Sequence, residues 1–284
     1  MTYAQRQINL TFQQPNGESI HLPGLKVAAI VDMPGGIQAM SSLQMNVWGM
    51  TLAHMNQFSS AGSQMVALSN YSVTVTAGDL NGKMSNVFEG AMCQAYMDFS
   101  AIPDVSFVVA ATAGFFWKGT PAAPHHYAGP HNAEDIIRAL AQQIGYNFVN
   151  DNGAHAVITD QYLYGSPVQN IQRVAAAARF AFDIHNDTVT IWPNEGVRDN
   201  VIIDVGPQTG LVGYPSYYEA GFMVRSQFNP DIVRGRRIQL TSSIPKSNGL
   251  WPIQTVTHEL STQQEDGPWF TTVRLCPPPY VPNN

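Results

Sequence analysis

The adjacent residues His258 and Glu259 are the first whose types could do chemistry. They stand together as in the helical motif of zinc proteases, in which a second histidine follows. That position is occupied by Thr262, so the second ligand is missing. The surrounding residues alternate as in a strand, which places the two side chains on opposite faces. We therefore expect no metal site here.

A second group of possible metal ligands consists of His125, His126 and His131, which lie within seven residues. Three imidazoles could hold a transition metal. No acidic or cysteine ligand stands immediately beside them, and histidines in a Pro/Gly-rich stretch are usually solvated. The sequence thus predicts no metal and no cofactor.

Paired carboxylates occur at Glu134-Asp135 and at Glu265-Asp266. The first pair fits the opening turn of a helix, where the helix dipole favours negative charge, and the second fits a turn. The sequence contains no phosphate-binding loop, dinucleotide glycine fingerprint or nucleophile-elbow pentapeptide. We therefore predict no catalytic residues and a protein that is not an enzyme.

An uncharged, methionine-rich stretch points to protein contacts instead. No Asp, Glu, Lys or Arg occurs between residues 33 and 78. Because free surfaces normally carry charges and Met adapts its shape to a partner, the stretch suits an interface, although filling of the core is an equal alternative. The predicted interface residues are six methionines and three arginines: Met33, Met40, Met45, Met50, Met55, Met65, Arg234, Arg236 and Arg237.

The three arginines form the single local basic cluster of the sequence, just before a predicted strand. They could contact phosphate or an acidic partner, although charges that blunt a sheet edge are commoner. Tyr214, Tyr217 and Tyr218 fall in a predicted loop, where they could bind sugar or protein, or pack over the end of a barrel.

The composition limits the class of protein. The 284 residues suffice for two or three compact units, and only 12% of them are charged, about half the usual share. The net charge of −6 provides no basic surface for nucleic acid. No signal peptide or apolar run long enough to cross a membrane is present, which favours synthesis in the cytoplasm. Cys93 and Cys276 could pair, but isolated cysteines in strands are more often small buried apolar residues.

Two stretches of the chain share one pattern of strands and turns. Three strands are predicted from residue 72 to 111, and a similar set follows 165 residues later. Without a gap, Val73 falls on Ile238 and Phe88 on Ile253, while Pro103 falls on Pro268 and Val108 on Val273. Chance similarity between two β meanders is the alternative, but the pattern favours a duplicated antiparallel unit.

A different composition separates the two β stretches. Residues 119–130 are rich in Pro and Gly and predict a linker. Asn132 can cap a helix, and Ser166-Pro167 begins a second one in the favoured order. The turn Asn186-Asp187 predicts a β-hairpin. We therefore predict a mainly β protein with a small α+β insert, divided into residues 1–118, 119–130, 131–195, 196–276 and an extended Pro-rich tail at 277–284.

This arrangement resembles the central baseplate hub proteins of contractile-tailed bacteriophages, including the late control protein D type and the hub part of type VI secretion spikes. The resemblance covers most of the chain. It rests on the order of the units and on four segments: Trp48-Gly-Met, Asn86-Val-Phe-Glu-Gly, Asn248-Gly-Leu-Trp-Pro-Ile-Gln-Thr-Val-Thr-His-Glu-Leu-Ser and Gly267-Pro-Trp-Phe-Thr-Thr.

The resemblance implies two tail-tube-like antiparallel β-barrel domains joined by a two-helix domain. It also implies a homotrimer whose six similar units adapt a hexameric tail tube to a threefold central spike. The partners would be other copies of the chain, the tube protein, the spike and other baseplate proteins, in a virion tail assembled in the host cytoplasm. Membranes and specific nucleic acid sequences are not expected partners, although the genome would pass through the lumen. The alternative is a carbohydrate-binding or peptidoglycan-acting tail-tip protein.

Overall fold

The computed structural model describes residues 5–36, 40–59, 71–218 and 221–276. Strands dominate it and helices are few and short, so the prediction of a mainly β protein is confirmed. No helix in these ranges is both long and apolar enough to cross a membrane.

The first β unit contains seven strands and one short helix. Their bounds are β1 (Arg6–Gln13), β2 (Ser19–Pro23), β3 (Lys26–Met33), β4 (Ser42–Trp48), α1 (Leu52–Phe58), β5 (Ser72–Asp79), β6 (Met84–Asp98) and β7 (Ser106–Thr112). Alternate residues of β1, β3, β4 and β5 are buried, as expected for strands with one face on a core.

The insert follows a short helix and contains two amphipathic helices packed on small sheets. Its elements are α2 (Phe115–Gly119), β8 (Ala122–Asn132), α3 (Ala133–Gln143), β9 (Asn147–Asn150), β10 (Val157–Gly165), α4 (Pro167–Ala177), β11 (Phe180–His185) and β12 (Thr188–Pro193). Ser166 and Gln169 form a reciprocal capping box at the start of α4. Asn186 and Asp187 have positive φ values in the β11–β12 turn, as predicted for this hairpin. The predicted linker differs, because most of it lies in strand β8, which pairs with β10.

The second β unit contains six strands. These are β13 (Ile202–Val205), β14 (Ser216–Tyr218), β15 (Gly221–Gln227), β16 (Arg237–Leu240), β17 (Gly249–Thr262) and β18 (Trp269–Leu275). The pairing order β14-β15-β18-β17-β16 matches β3-β4-β7-β6-β5 of the first unit, strand for strand and antiparallel throughout. This shared order of five strands supports the predicted duplication.

The offset between the two copies is not constant along the chain. Val73 and Ile238 occupy equivalent positions in β5 and β16, 165 residues apart as predicted. Ile253 corresponds to Met92 rather than Phe88, because Met92 lies opposite Ala111 just as Ile253 lies opposite Leu275. Each long strand carries a bulge at the next residue, which confirms this alignment and changes the offset to 161 in β6 and β17.

Both units belong to one sheet. Strand β17 of the second unit pairs antiparallel with β3 of the first, from Val256 opposite Met33 to Thr262 opposite Val27. We call this β3–β17 pairing the intrachain seam. Buried side chains of both units form one continuous core, and a second core fills the insert. Among the described strands the pairing order is open, with β14 and β2 at its ends, so two separate closed barrels are not confirmed.

Candidate interaction surfaces

The candidate chemical residues do not come together into a reactive site. His258 lies in the core, and Glu259 lies on the other face of β17, where it pairs with Arg225 at 2.9 Å. The prediction that the two side chains face opposite ways is confirmed. Burial and the positive charge of His185 lower the pKa of His258 to about 3. This imidazole is therefore neutral at physiological pH and accepts or donates one hydrogen bond with Thr271, at 2.9 Å.

The three predicted histidines of the former linker lie along strand β8. His125 and His131 each stack edge-on against Tyr127, at 4.5 and 5.3 Å between ring centroids. Within the described ranges no group of three or more His, Cys, Asp or Glu side chains is placed to hold a metal. Cys93 and Cys276 are free thiols.

The carboxylate pairs have local structural partners. Glu134 contacts His155 at 2.5 Å, and Asp135 accepts a hydrogen bond from Arg138 at 2.6 Å, both at the start of α3. Asp266 has a positive φ of 53° in the turn before β18. These contacts account for three of the four carboxylates without catalysis.

The predicted methionine interface divides between the core and residues outside the described ranges. Met65 lies outside them. The other five side chains are at most 8% exposed, and they lie in the main core except for Met40, which lies in the core of the insert. This placement matches the alternative of core filling. A partner could therefore meet this stretch only through its other residues, such as the exposed Leu52.

The arginine cluster makes its contacts inside the chain. The buried Arg234 guanidinium donates a hydrogen bond to the carbonyl oxygen of Phe182 in the insert, and Arg236 pairs with Asp199 at 2.8 Å. The Nε atom of Arg237 is buried without a hydrogen-bond partner among the described residues. An exposed patch of all three arginines is therefore not formed.

A network around Arg198 was not found from the sequence. Its guanidinium reaches Asp151 at 3.2 Å, the buried Asp183 at 3.4 Å and the Thr190 hydroxyl at 2.9 Å. The Trp192 ring lies near both Arg198 and Arg234, with centroid distances of 5.8 and 5.2 Å. Because the partners come from segments far apart in the chain, no local motif could have indicated the network. It ties the insert to the second β unit.

An acidic cluster lies where the first β unit meets the insert. Burial and then the charge of Asp187 raise the pKa of Glu89, while the Asn86 side chain opposes this shift. Burial also raises the pKa of Asp187, against a hydrogen bond from Tyr146. Two nearby carboxylates that resist ionisation indicate that this junction is held more tightly when they are protonated.

Asp187→Asn is expected to increase stability at neutral pH and to weaken its pH dependence. A carboxyl group with a raised folded-state pKa contributes stability below its unfolded pKa and loses it as pH rises through the folded pKa. Asparagine removes the charge and tolerates the positive φ at this turn. Urea unfolding from pH 4 to pH 8 measures the effect. Asp266→Asn, an exposed turn position of similar φ, is the matched control, and equal pH profiles for the two variants would contradict the prediction.

Exposed aromatic side chains collect at two strand edges. On β14 Tyr217 is 64% exposed, and Tyr214 just before it is 74% exposed. At the end of β6 Tyr96 and Phe99 are 42% and 49% exposed. Tyrosine and other aromatics at a surface are typical anchors of protein interfaces. Tyr217 lies on a strand, whereas the sequence indicated a loop.

The chain is similar in fold to solved tail proteins. A tail protein from Neisseria meningitidis MC58 is 12% identical, with a TM-score of 0.60 over 95% of this chain and 96% of that chain. The 43 kDa tail protein of prophage MuSo2 from Shewanella oneidensis is 7% identical, with a TM-score of 0.63 over 96% of this chain and 97% of that one. A type VI secretion component from E. coli, described as structurally similar to T4 tail proteins gp27 and gp5, is 10% identical with a TM-score of 0.59, covering 91% and 75%.

The sequence itself shows the family. No curated protein sequence matches the chain, but the family model described as baseplate hub gp41 matches residues 13–274, nearly its whole length. That match agrees with a fold shared with phage tail proteins and with side chains that serve packing and contact rather than catalysis. The chain therefore belongs to the baseplate hub gp41 family and is a structural component of a phage tail baseplate.

Proposed function

We propose that the chain acts as a threefold adaptor at the centre of the baseplate, joining a hexameric tail tube to a threefold spike. The observation that carries this proposal is the repeated five-strand order, in which two copies of one unit are joined by the intrachain seam. Three chains would present six similar units, which suits a sixfold neighbour on one side and a threefold neighbour on the other.

The partners follow from this role. The chain would bind two other copies of itself, the tube protein, the spike protein and further baseplate proteins. Each repeated unit would stand in for one tail-tube-like barrel segment, with closure supplied by neighbouring units rather than within one chain. Surface residues near the methionine-rich stretch and the second unit are proposed contacts. The genome would pass through the lumen, and the net charge of −6 would avoid holding it there.

Native mass spectrometry over a range of protein concentrations tests the proposal. A trimer that dominates at higher concentration and dissociates on dilution is expected, since a closed ring of three buries every exposed seam. A monomer at every concentration would contradict self-assembly. It would favour the alternative of a carbohydrate-binding or peptidoglycan-acting tail-tip protein, which glycan-binding and hydrolysis assays would then examine.

A further inference from the structure

The intrachain seam joins two defined strand edges. On its core side, Val31 of β3 lies opposite His258 of β17, and both are at most 1% exposed. On its outer side the Thr257 hydroxyl donates a hydrogen bond to Asp32 at 2.7 Å. The seam therefore combines strand pairing, a buried row and an outer polar row.

The repeat places a second copy of each edge elsewhere in the chain. Leu43 and Phe222 are equivalent, because each lies opposite the equivalent residue of β7 or β18. Val31 pairs with Leu43 and Tyr217 pairs with Phe222, so Tyr217 is the counterpart of Val31.

The counterpart of the other edge follows from the aligned bulges of β6 and β17. With the offset of 161 residues that Met92 and Ile253 define, His258 corresponds to Met97. Strand β14 thus repeats the edge of β3, and the end of β6 repeats the edge of β17.

These two counterpart edges differ from the originals in their exposure. Val31 is fully buried by β17, whereas Tyr217 is 64% exposed at an equivalent, core-side position. Strand β14 ends the pairing path, and along the edge of Tyr96–Asp98 away from β7 no described strand is paired. An aromatic residue exposed at a core-side position indicates a covering strand from outside this chain.

We propose that β14 of one copy pairs with β6 of a neighbouring copy in the register of the intrachain seam. Tyr217 then lies opposite Met97 of the neighbour, and Tyr218 lies opposite Asp98. The Arg274 guanidinium lies over the Tyr218 ring, 5.8 Å from its centroid, so the neighbour's Asp98 meets a positive charge. We call this contact the interchain seam.

The interchain seam is head-to-tail, because it joins the second unit of one copy to the first unit of the next. Such contacts generate a ring when the rotation closes. Alternating intrachain and interchain seams then give each of six units the same two neighbours. This inference rests on the proposed trimer and specifies which edges and which register build it.

Disulfide crosslinking tests the register. In a background with Cys93→Ser and Cys276→Ser, we combine Met97→Cys with Tyr217→Cys and oxidise the assembled protein. Residues directly opposite in antiparallel strands have Cα atoms about 4.5–5.5 Å apart, within the range that a disulfide spans. We expect linked dimers and trimers on non-reducing gels, and linked dimers only when the two single variants are mixed.

Two further pairs control the crosslinking. Ile30→Cys with Glu259→Cys lies directly opposite in the intrachain seam, so it should link within one chain and leave the apparent mass near that of a monomer. Asp98→Cys with Tyr217→Cys places the thiols on opposite faces of the sheet, so it should not link. Equal linking by this off-register pair would contradict the proposed register.

Hydrogen exchange of the wild-type chain provides a test that needs no substitution. Peptides covering residues 94–98 and 214–218 should exchange more slowly in the trimer than in the diluted monomer. A trimer in native mass spectrometry with neither this protection nor the Met97–Tyr217 link would overturn the interchain seam and leave the threefold hub standing. A monomer at all concentrations would overturn the hub proposal itself.

Discussion

Gly235→Ala is expected to lower the free energy of unfolding by about 3 kcal/mol, one of the two largest effects of a single substitution in this chain. Gly235 has a φ of +85°, a conformation that costs other residues about 1–2 kcal/mol. An added Cβ would also lie 2.8 Å from the Trp192 ring and 2.9 Å from Cβ of Arg198. Overpacking at such a site adds about 1–3 kcal/mol.

The neighbouring contacts leave little room for relaxation. The Gly235 amide donates to the carbonyl oxygen of Ile253, and its own carbonyl oxygen accepts from the Arg198 amide. Moving the backbone away from Trp192 would therefore stretch hydrogen bonds to β17 and to the segment that follows the insert. The substitution should loosen the junction between the insert and the second β unit.

Urea unfolding followed by tryptophan fluorescence and circular dichroism measures this effect. Gly17→Ala is the matched control, because Gly17 has nearly the same φ, +86°, and a Cβ added there would meet no atom within 4 Å. It should lose only the conformational part, about 1–2 kcal/mol. If both variants lose the same amount, the close approach of Trp192 does not constrain position 235.

Local patterns were sufficient to predict most elements but not how they join. The helix that begins at Pro167 and the hairpin at Asn186-Asp187 depend on capping and turn preferences of adjacent residues. Pairing of β3 with β17 joins residues more than 200 positions apart. Nothing in either strand's own pattern specifies such a partner, because alternation indicates a buried face and not a neighbouring edge.

The repeat was predictable in order but not in register. An ungapped comparison places Val73 on Ile238 correctly and then misaligns Phe88 with Ile253. A bulge adds one residue to a strand without interrupting its apolar pattern. The bulged residues Cys93 and Gln254 lie between aligned pairs in the structure, yet nothing in the sequence around them marks a bulge.

Composition was ambiguous for the contact residues. Methionine suits both an adaptable interface and an irregular core, and Met33 and Met45 are in the core. A run of arginines suggests an exposed patch, but Arg234 is buried against Trp192 and the Phe182 carbonyl. The choice depends on residues brought together by the fold, which a single sequence does not specify.

His258→Gln is expected to remove much of the loss of stability that the wild-type chain shows between about pH 6.5 and pH 3. Unfolded histidine has a pKa of about 6.5, whereas burial first and the charge of His185 second lower the pKa of His258 to about 3. The unfolded chain therefore binds more protons in this window. Stability contributed by the neutral imidazole is complete above pH 6.5 and is lost as pH falls toward 3.

The expected slope is up to about 1.4 kcal/mol for each pH unit below 6.5. His258 lies opposite Val31 in the intrachain seam and packs edge-on against Phe228, with 5.3 Å between ring centroids. A proton there places a charge between the two repeated units. Acid should therefore separate them as the protein unfolds.

Urea unfolding at intervals from pH 7 to pH 4 checks the prediction, with His21→Gln as the matched control. His21 lies exposed on β2 and contacts Thr11 through Nδ1 at 3.1 Å, so its replacement should leave the wild-type slope unchanged. Glutamine at position 258 keeps a polar group near the Thr271 hydroxyl and cannot be protonated, which separates loss of charge from loss of the hydrogen bond. A His258→Gln profile as steep as that of His21→Gln would show that protonation elsewhere opens the seam, with the buried His185 as the next residue to replace.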